Sequence, residues 1–405
     1  MARPRKRSAD GPNVSRRHLL LGGAAAVGAA ALPDTPLAAA TVDAAGALGQ
    51  SKEQCWGPHQ AGVATRSQAF ATYLGFAIRS GVARADLVRL MKIWTDDIER
   101  MTQGTAVLAD PVPELADVPA RLTVTVGVGP GLFRTPGLSH KEQPSWLRPL
   151  PPFSIDALQA HWSGGDLVVQ IAADDPVAVS HARQVLVGDA KAFAEVAWTQ
   201  TGFHRAAGTT AEGATGRNLM GFIDGTVNPT PGTDDFDQVV WIDDGPSWLQ
   251  GGTGMVLRRI RMNLDTWSGI DRASREQIMG RRLSDGSPLT GSLETDAPDL
   301  DATTDGGLLT IPEFAHVRVA HARNAAERIY RRPYNYDDGV TGGQPDTGLL
   351  FTAFAADIDR QFVPIQRRLD RHDLLNLWTT PIGSSVVAIL PGFEPGDWLG
   401  RRLLT

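Results

Sequence analysis

Cysteine is almost absent. Cys55 is the one thiol in 405 residues, which excludes an intrachain disulfide and any cysteine-built zinc or iron–sulfur site. Tyrosine is scarce, and three of the four, Tyr330, Tyr334 and Tyr336, crowd around Arg331 and Arg332. No stretch is long and apolar enough to span a bilayer, for which about 20 residues are needed; the run Leu19 to Leu32 falls short. Gly127-Val-Gly-Pro-Gly131 lacks the dinucleotide-binding spacing. There is no phosphate-loop lysine motif, no zinc-binding His-Glu-x-x-His and no nucleophile-elbow serine. Nucleotide-dependent, zinc-hydrolase and serine-hydrolase chemistries therefore have no support.

What remains is a composition of 42% apolar and 21% charged residues, as in soluble globular proteins, on a chain long enough for two domains. The first forty residues stand apart. Arg3, Arg5, Lys6 and Arg7 give a basic start, Arg16-Arg17 precedes the apolar run, and Ala38-Ala39-Ala40 offers a small-residue cleavage site. This resembles a twin-arginine export signal, with Leu where such signals usually carry Phe. It implies the twin-arginine translocase as a partner, a cofactor loaded before export, and an extracellular, cell-surface or periplasmic destination. Removing residues 1–40 takes away six Lys/Arg and two Asp and moves the formal charge from −6 to −10. So acidic a chain argues against a nucleic-acid partner. The expected division is signal 1–40, flexible linker 41–56, an N-terminal domain 57–215 and a C-terminal domain 216–405.

Leu87, Leu90, Met91, Trp94, Ile98 and Met101 recur at helical spacing between a cap at Asp86 and a stop at Gly104. Leu122–Val126 alternates as a half-buried strand, and Leu167–Ala173 is a continuous apolar run, hence a central strand. Asp175-Pro176 then opens a helix with a Val179, Ala182, Leu186 stripe. The second half repeats this unit. Leu167–Asp174 aligns without a gap on Leu350–Asp357, and the stripe falls on Phe362, Ile365 and Leu369. A strand feeding a helix at one offset, twice, indicates a duplicated α+β unit. Met255–Met262 reads as a strand, Ala273–Gly280 as a helix, and 283–309 as a long surface loop.

Chemistry concentrates in Glu313–Tyr336. Phe314, His316, Arg318 and Ala320 fall on one face of an expected strand. His316 is either a core-edge histidine bonded to backbone or a neutral metal ligand of the kind that holds haem iron, with Arg318 placed to reach a haem propionate. Asp224, in Ile-Asp-Gly-Thr, is either the turn of a hairpin or a carboxylate held over a cofactor. Arg331 is either a solvated cation beside Arg332 or the functional guanidinium. Spacing alone does not join the three.

Gly221-Phe-Ile-Asp-Gly-Thr226, His316-Val-Arg318, Arg331-Arg-Pro-Tyr-Asn-Tyr336 and Leu122–Phe133 together resemble the dye-decolourising haem peroxidases, over residues 57 to about 400. The tail segments around Ile365–Leu369, Asp373–Asn376 and Gly383-Ser384 are similar too. The resemblance implies two ferredoxin-like α+β domains with antiparallel sheets, one haem b per chain in the C-terminal one, and hydrogen peroxide with an organic electron donor as substrates. By the same carry-over His316 is the proximal ligand and Asp373 its hydrogen-bond partner. Asp224 is the distal acid–base residue and Arg331 the distal arginine. Arg318 and Asn218 lie near the haem edge, and Phe351 lines the distal side. Pro333 stands where some subfamilies have a distal asparagine. Tyr330, Tyr334 and Tyr336 are then candidate surface relays for electrons from bulky donors. Homo-oligomer formation is left open. The competing expectations are iron release from haem (a deferrochelatase) and a non-catalytic haem carrier.

Overall fold

Alternation along single strands divides the molecule into an inside and an outside. In the computed structural model, which describes residues 48–211 and 213–405, each half lays down four long antiparallel strands. The first half supplies β1 (Phe70–Ile78), β2 (Thr123–Val128), β3 (Leu167–Ala173) and β4 (Ala194–Phe203) in the order β4-β1-β3-β2. The second supplies β5 (Thr253–Met262), a two-residue β6 (Tyr330–Arg331), β7 (Tyr334–Thr341), β8 (Gln344–Ala355) and β9 (Thr379–Ile389). Its long strands run β9-β5-β8-β7, the same arrangement when renumbered from β5. Both are ferredoxin-like. The edges join symmetrically: β2 pairs with β9 through Gly127 and Val128, and β4 with β7 at Phe203–Asn335. The sheet thereby closes into a barrel, which leaves few free strand edges.

The repeat seen in the sequence occupies equivalent places. Ala172 of β3 pairs with Ala71 of β1, and Ala355 of β8 pairs with Gly254 of β5. Helix α1 (Arg84–Thr102) buries the expected stripe from Leu87 to Met101. Its start lies earlier than Asp86, however. Ala83 is the N-cap, and the Asp86 carboxylate accepts from the Ala83 N–H, the reciprocal half of a capping box. Helix α2 (Pro176–Ala190) is capped by Asp175, as its sequence indicates. The linker expected over 41–56 is described from residue 48, and that part is not a free tether. Cys55 is buried, Glu53 accepts from Arg121, and Gly49 and Ser51 carbonyls accept from Ala120 and Arg121. The twin-arginine segment lies outside the described residues.

Inside the barrel one apolar cluster draws on β1, β3, β4, β5, β7, β8 and β9, with Tyr73, Met255, Tyr334, Leu350 and Phe354 among its members. Two buried arginines share this space. Arg259 lies between the rings of Trp162 (4.3 Å) and Tyr336 (3.7 Å) and bonds Asp338 and Asp346. Arg332 donates to the Thr65 carbonyl and Gln68. The outer face of the sheet carries the helices.

Asp97 of α1 and Asp189 of α2 meet where these helices pack. Burial and then the neighbouring Asp97 push the Asp189 carboxyl up to about 7, and burial raises Asp97 as well. Both folded values exceed the unfolded ones. The contribution of the pair is therefore complete below about pH 4 and is lost as pH rises through about 7. Asp189→Asn is expected to raise the melting temperature by a few degrees at pH 8 and to leave it unchanged at pH 4. Parallel pH profiles for the variant and the wild type would remove this account.

Candidate active site

His316 opens a short helix, α6 (His316–Ala320), not a strand. The strand expectation came from alternating residue types over Phe314–Ala320. The structure instead turns the chain so that Ala315 and Val319 pack inward. Two features fix that turn. The Leu374 N–H bonds the Phe314 carbonyl, and helix α5 (Arg272–Met279) ends on Gly280 at φ 86°, where a Cβ would come within 2.3 Å of Val317. Only glycine permits both that φ and that approach.

The imidazole Nδ1–H donates to Asp373 Oδ2 at 2.6 Å. Asp373 is itself immobilised. It ends helix α7 (Phe362–His372), and its Oδ1 accepts the Leu375 N–H, capping the turn Leu374–Leu377. The contact occupies Nδ1, so that whenever the ring is neutral its lone pair lies on Nε2, and Nε2 has no hydrogen-bond partner among the described residues. Burial alone would push the His316 pKa down; the Asp373 carboxylate outweighs burial and the value is raised. His316 lies deep in the protein, yet 31% of its side chain is open. Part of the ring is therefore reachable from outside. A buried apolar cluster adjoins this part of the chain: Met279 precedes the Gly280 that meets Val317, Leu374 and Leu375 follow Asp373, and they pack with Met220, Phe222, Met262, Trp267 and Phe351.

Arg331 comes from the sheet. On β6 it pairs with Ala353 of β8, so it shares the outer sheet face with Phe351, while its neighbour Arg332 points into the barrel. Arg331 Nη1 donates to Asp224 Oδ1 at 2.7 Å. The charges of both partners act on the His316 imidazole, Asp224 raising its pKa and Arg331 lowering it. Spacing could not join these three residues; the fold does. Asp224 is not the turn of a hairpin either. The turn lies upstream, where Gly221 (φ 95°) reverses the chain between the bridged residues Arg217 and Ile223, and Asp224 follows the bridge.

Asn218 Oδ1 accepts the Phe222 N–H within that turn. Arg318 does not share a face with His316. Two residues along a helix is about 200° of rotation, and its guanidinium bonds the carbonyls of Ile311 and Leu300, which ties the long loop to α6. Tyr330, Tyr334 and Tyr336 are all buried and so are not surface relays; alternation and ring packing in the barrel account for them. His204 was not anticipated. Its ring lies tilted against Tyr334 with centroids 4.5 Å apart, and burial, then the Arg332 guanidinium, lower its pKa to about 4.

Asn228 was also missed. Its side-chain amide grips the Arg331 backbone from both sides, Nδ2 to the carbonyl at 2.6 Å and Oδ1 from the N–H at 3.0 Å. An asparagine seven residues after Gly221 carries no sequence signal for this pairing with a strand 103 positions away. Asn228→Ala is expected to cost about 1–3 kcal/mol by losing both bonds, measured by denaturant titration. A stability within error of the wild type would mean that Asn228 does not hold Arg331 in place.

Comparison with known proteins gives the family. Family models described as Dyp-type peroxidase, N-terminal and C-terminal, match residues 60–204 and 215–394. A dye-decolorizing peroxidase of Thermobifida fusca is 38% identical over 331 residues, 80% of this chain and 76% of that one. A deferrochelatase of Escherichia coli O157:H7 is 33% identical over 96% of this chain and 97% of its own. A crystal structure of a DyP-type peroxidase from Cellulomonas bogoriensis superposes with a TM-score of 0.85 at 48% identity, covering 88% of this chain and 99% of that one. With two family models spanning most of the described residues and relatives of this identity, the chain belongs to the Dyp-type peroxidase family.

Proposed function

We propose that this haem-dependent peroxidase works with His316 on one side of the haem and the Asp224–Arg331 pair on the other. The observation that carries the reading is that one ion pair and one imidazole with an unengaged Nε2 act on one another electrostatically beside an apolar cluster. The donor set fits haem: a neutral imidazole to the iron and apolar walls for the porphyrin. Haem, when bound, supplies the iron that holds peroxide and the store for two oxidising equivalents.

The chain's own groups do the rest. Asp224 takes the proton from the inner oxygen of hydrogen peroxide and delivers it to the outer oxygen, which leaves as water. Arg331, donating to Asp224 in the resting geometry, is placed to stabilise the negative charge that grows as the oxygen–oxygen bond breaks. Asp373, by accepting from Nδ1, makes His316 a more basic ligand and fixes its plane. Phe351, on the same sheet face as Arg331, lines that side. Organic donors, dyes or phenols, then return two electrons one at a time.

Asp224→Ala and Arg331→Leu are each expected to lower the rate of peroxide reduction by about a hundredfold or more, with the haem absorbance retained; His316→Ala should lose it. Unchanged turnover in both distal variants would leave a haem carrier in place of a peroxidase. A second reading rests on the deferrochelatase relative, whose match spans 96% of this chain. Extracting iron needs bound haem and His316 but no oxygen–oxygen cleavage. Free porphyrin appearing on incubation with haem, undiminished in the distal variants, would favour it.

The basic start, Arg16-Arg17 and the apolar run to Leu32 support export through the twin-arginine translocase to the cell surface, periplasm or medium. Changing both arginines to lysine is expected to retain the full-length protein in the cytoplasm, as read by fractionation; normal export would refute that route.

A further inference from the structure

The long loop after α5 does more than cover the surface. Glu294 in that loop accepts two hydroxyl hydrogens on one oxygen: Thr215 Oγ1 at 2.7 Å and Thr226 Oγ1 at 2.9 Å from Oε1. These threonines flank the segment that carries Asp224. Within it, the Asp224 N–H bonds the Gly216 carbonyl, and Arg217 bridges Ile223. The two arms of the segment are thus paired in the middle, and a single carboxylate oxygen ties both at their open end.

Glu294 is not a loose surface group. Its backbone carbonyl accepts from Arg281 Nη1 at 2.9 Å, and Arg281 is buried and also bonds the Gly286 carbonyl. Asp296 Oδ2 accepts from the N–H groups of Ser292 and Leu293 and closes the loop around it. Arg282 reaches the carbonyls of Pro288, Leu289 and Gly291. The loop is a fastened platform. Its charge is felt at the site, since Arg281 lies within electrostatic reach of both Arg331 and Glu294.

We propose that Glu294 is a positioning residue for the distal acid: by clamping Thr215 and Thr226 together it fixes the Asp224 carboxylate at the point where Arg331 meets it. The inference rests on the peroxidase reading and extends it to a residue outside the family motif. Among the described residues the Asp224 side chain has one hydrogen-bond partner, Arg331 Nη1, so its remaining placement comes from the backbone, and the clamp sets the backbone. A displacement of about 1 Å at a catalytic group costs up to about a hundredfold in rate.

Two substitutions separate the clamp from the charge. Glu294→Gln keeps an acceptor oxygen with two lone pairs for both hydroxyls and removes the charge; Glu294→Ala removes both. Each is studied as the haem-loaded protein, by the second-order rate with hydrogen peroxide and by amide hydrogen exchange of residues 215–226. Glu294→Ala is expected to slow the peroxide step about tenfold or more and to accelerate exchange across 215–226. Glu294→Gln should stay near the wild type in both. The proposal is overturned if Glu294→Ala reacts at the wild-type rate, whatever its exchange, or if Glu294→Gln is as slow as Ala while 215–226 remains protected. If the wild type itself does not reduce peroxide, the peroxidase reading falls. The exchange data then still decide whether the clamp holds the segment.

Discussion

A strand sends consecutive side chains to opposite faces, and in a closed sheet those faces become separate environments. Arg331 and Arg332 are neighbours on such a chain. Arg332 enters the barrel and is satisfied by the Thr65 carbonyl and Gln68. Arg331 leaves on the helix side and meets Asp224. A one-residue slip of β6 against β8 would exchange them. Arg331 would then point into the barrel, and its bond to Asp224 would be lost. The pairing of Tyr330 with Phe354 and of Arg331 with Ala353 is thus the constraint on which the chemistry depends. Asn228 reinforces it by gripping the Arg331 backbone from outside the sheet.

The groups of the site are engaged before any ligand arrives. Asp373 uses one oxygen on a backbone cap and the other on His316, so the imidazole is presented in one tautomer and one orientation. Asp224 and Arg331 satisfy each other across a single bond. Charges paired in this way need little reorganisation when a proton moves, which is where preorganised sites gain their effect. Burial, which would otherwise depress the basicity of His316, is offset by the carboxylate beneath it.

Much of this was legible in the sequence, and the parts that were not share a cause. The strand–helix repeat from Leu167 and from Leu350 falls at equivalent places in both sheets. The α1 stripe is buried as its spacing indicates, because period alone decides such elements. His316 was misplaced on a strand since five residues are too few for period to distinguish a helix turn, and what decided it was tertiary: the Gly280–Val317 approach and the Leu374–Phe314 bond. The tyrosines read as surface groups because barrel closure, which buries them, is not visible locally. Asn228 and Glu294 escaped notice for the same reason. Their partners lie 103 and 68–79 positions away, and a polar residue in a loop has no period to betray its role.

The duplication also shows why only one half carries a site. In the first half, the outer sheet face is covered by α1, one helix of 19 residues whose stripe of Leu, Met and Trp fills the space completely. The corresponding connection in the second half is broken into α4 (Leu264–Ser268), α5 and α6, of 5, 8 and 5 residues. Short pieces cannot lay a continuous apolar stripe on the sheet. They leave helix ends in the layer over the sheet, each free to present a single side chain. His316, at the first position of α6, is such a side chain. The same βαββαβ plan thus yields a solid core when its first crossover is one long helix. When that crossover is fragmented, it presents an imidazole on a short helix within electrostatic reach of the Asp224–Arg331 pair.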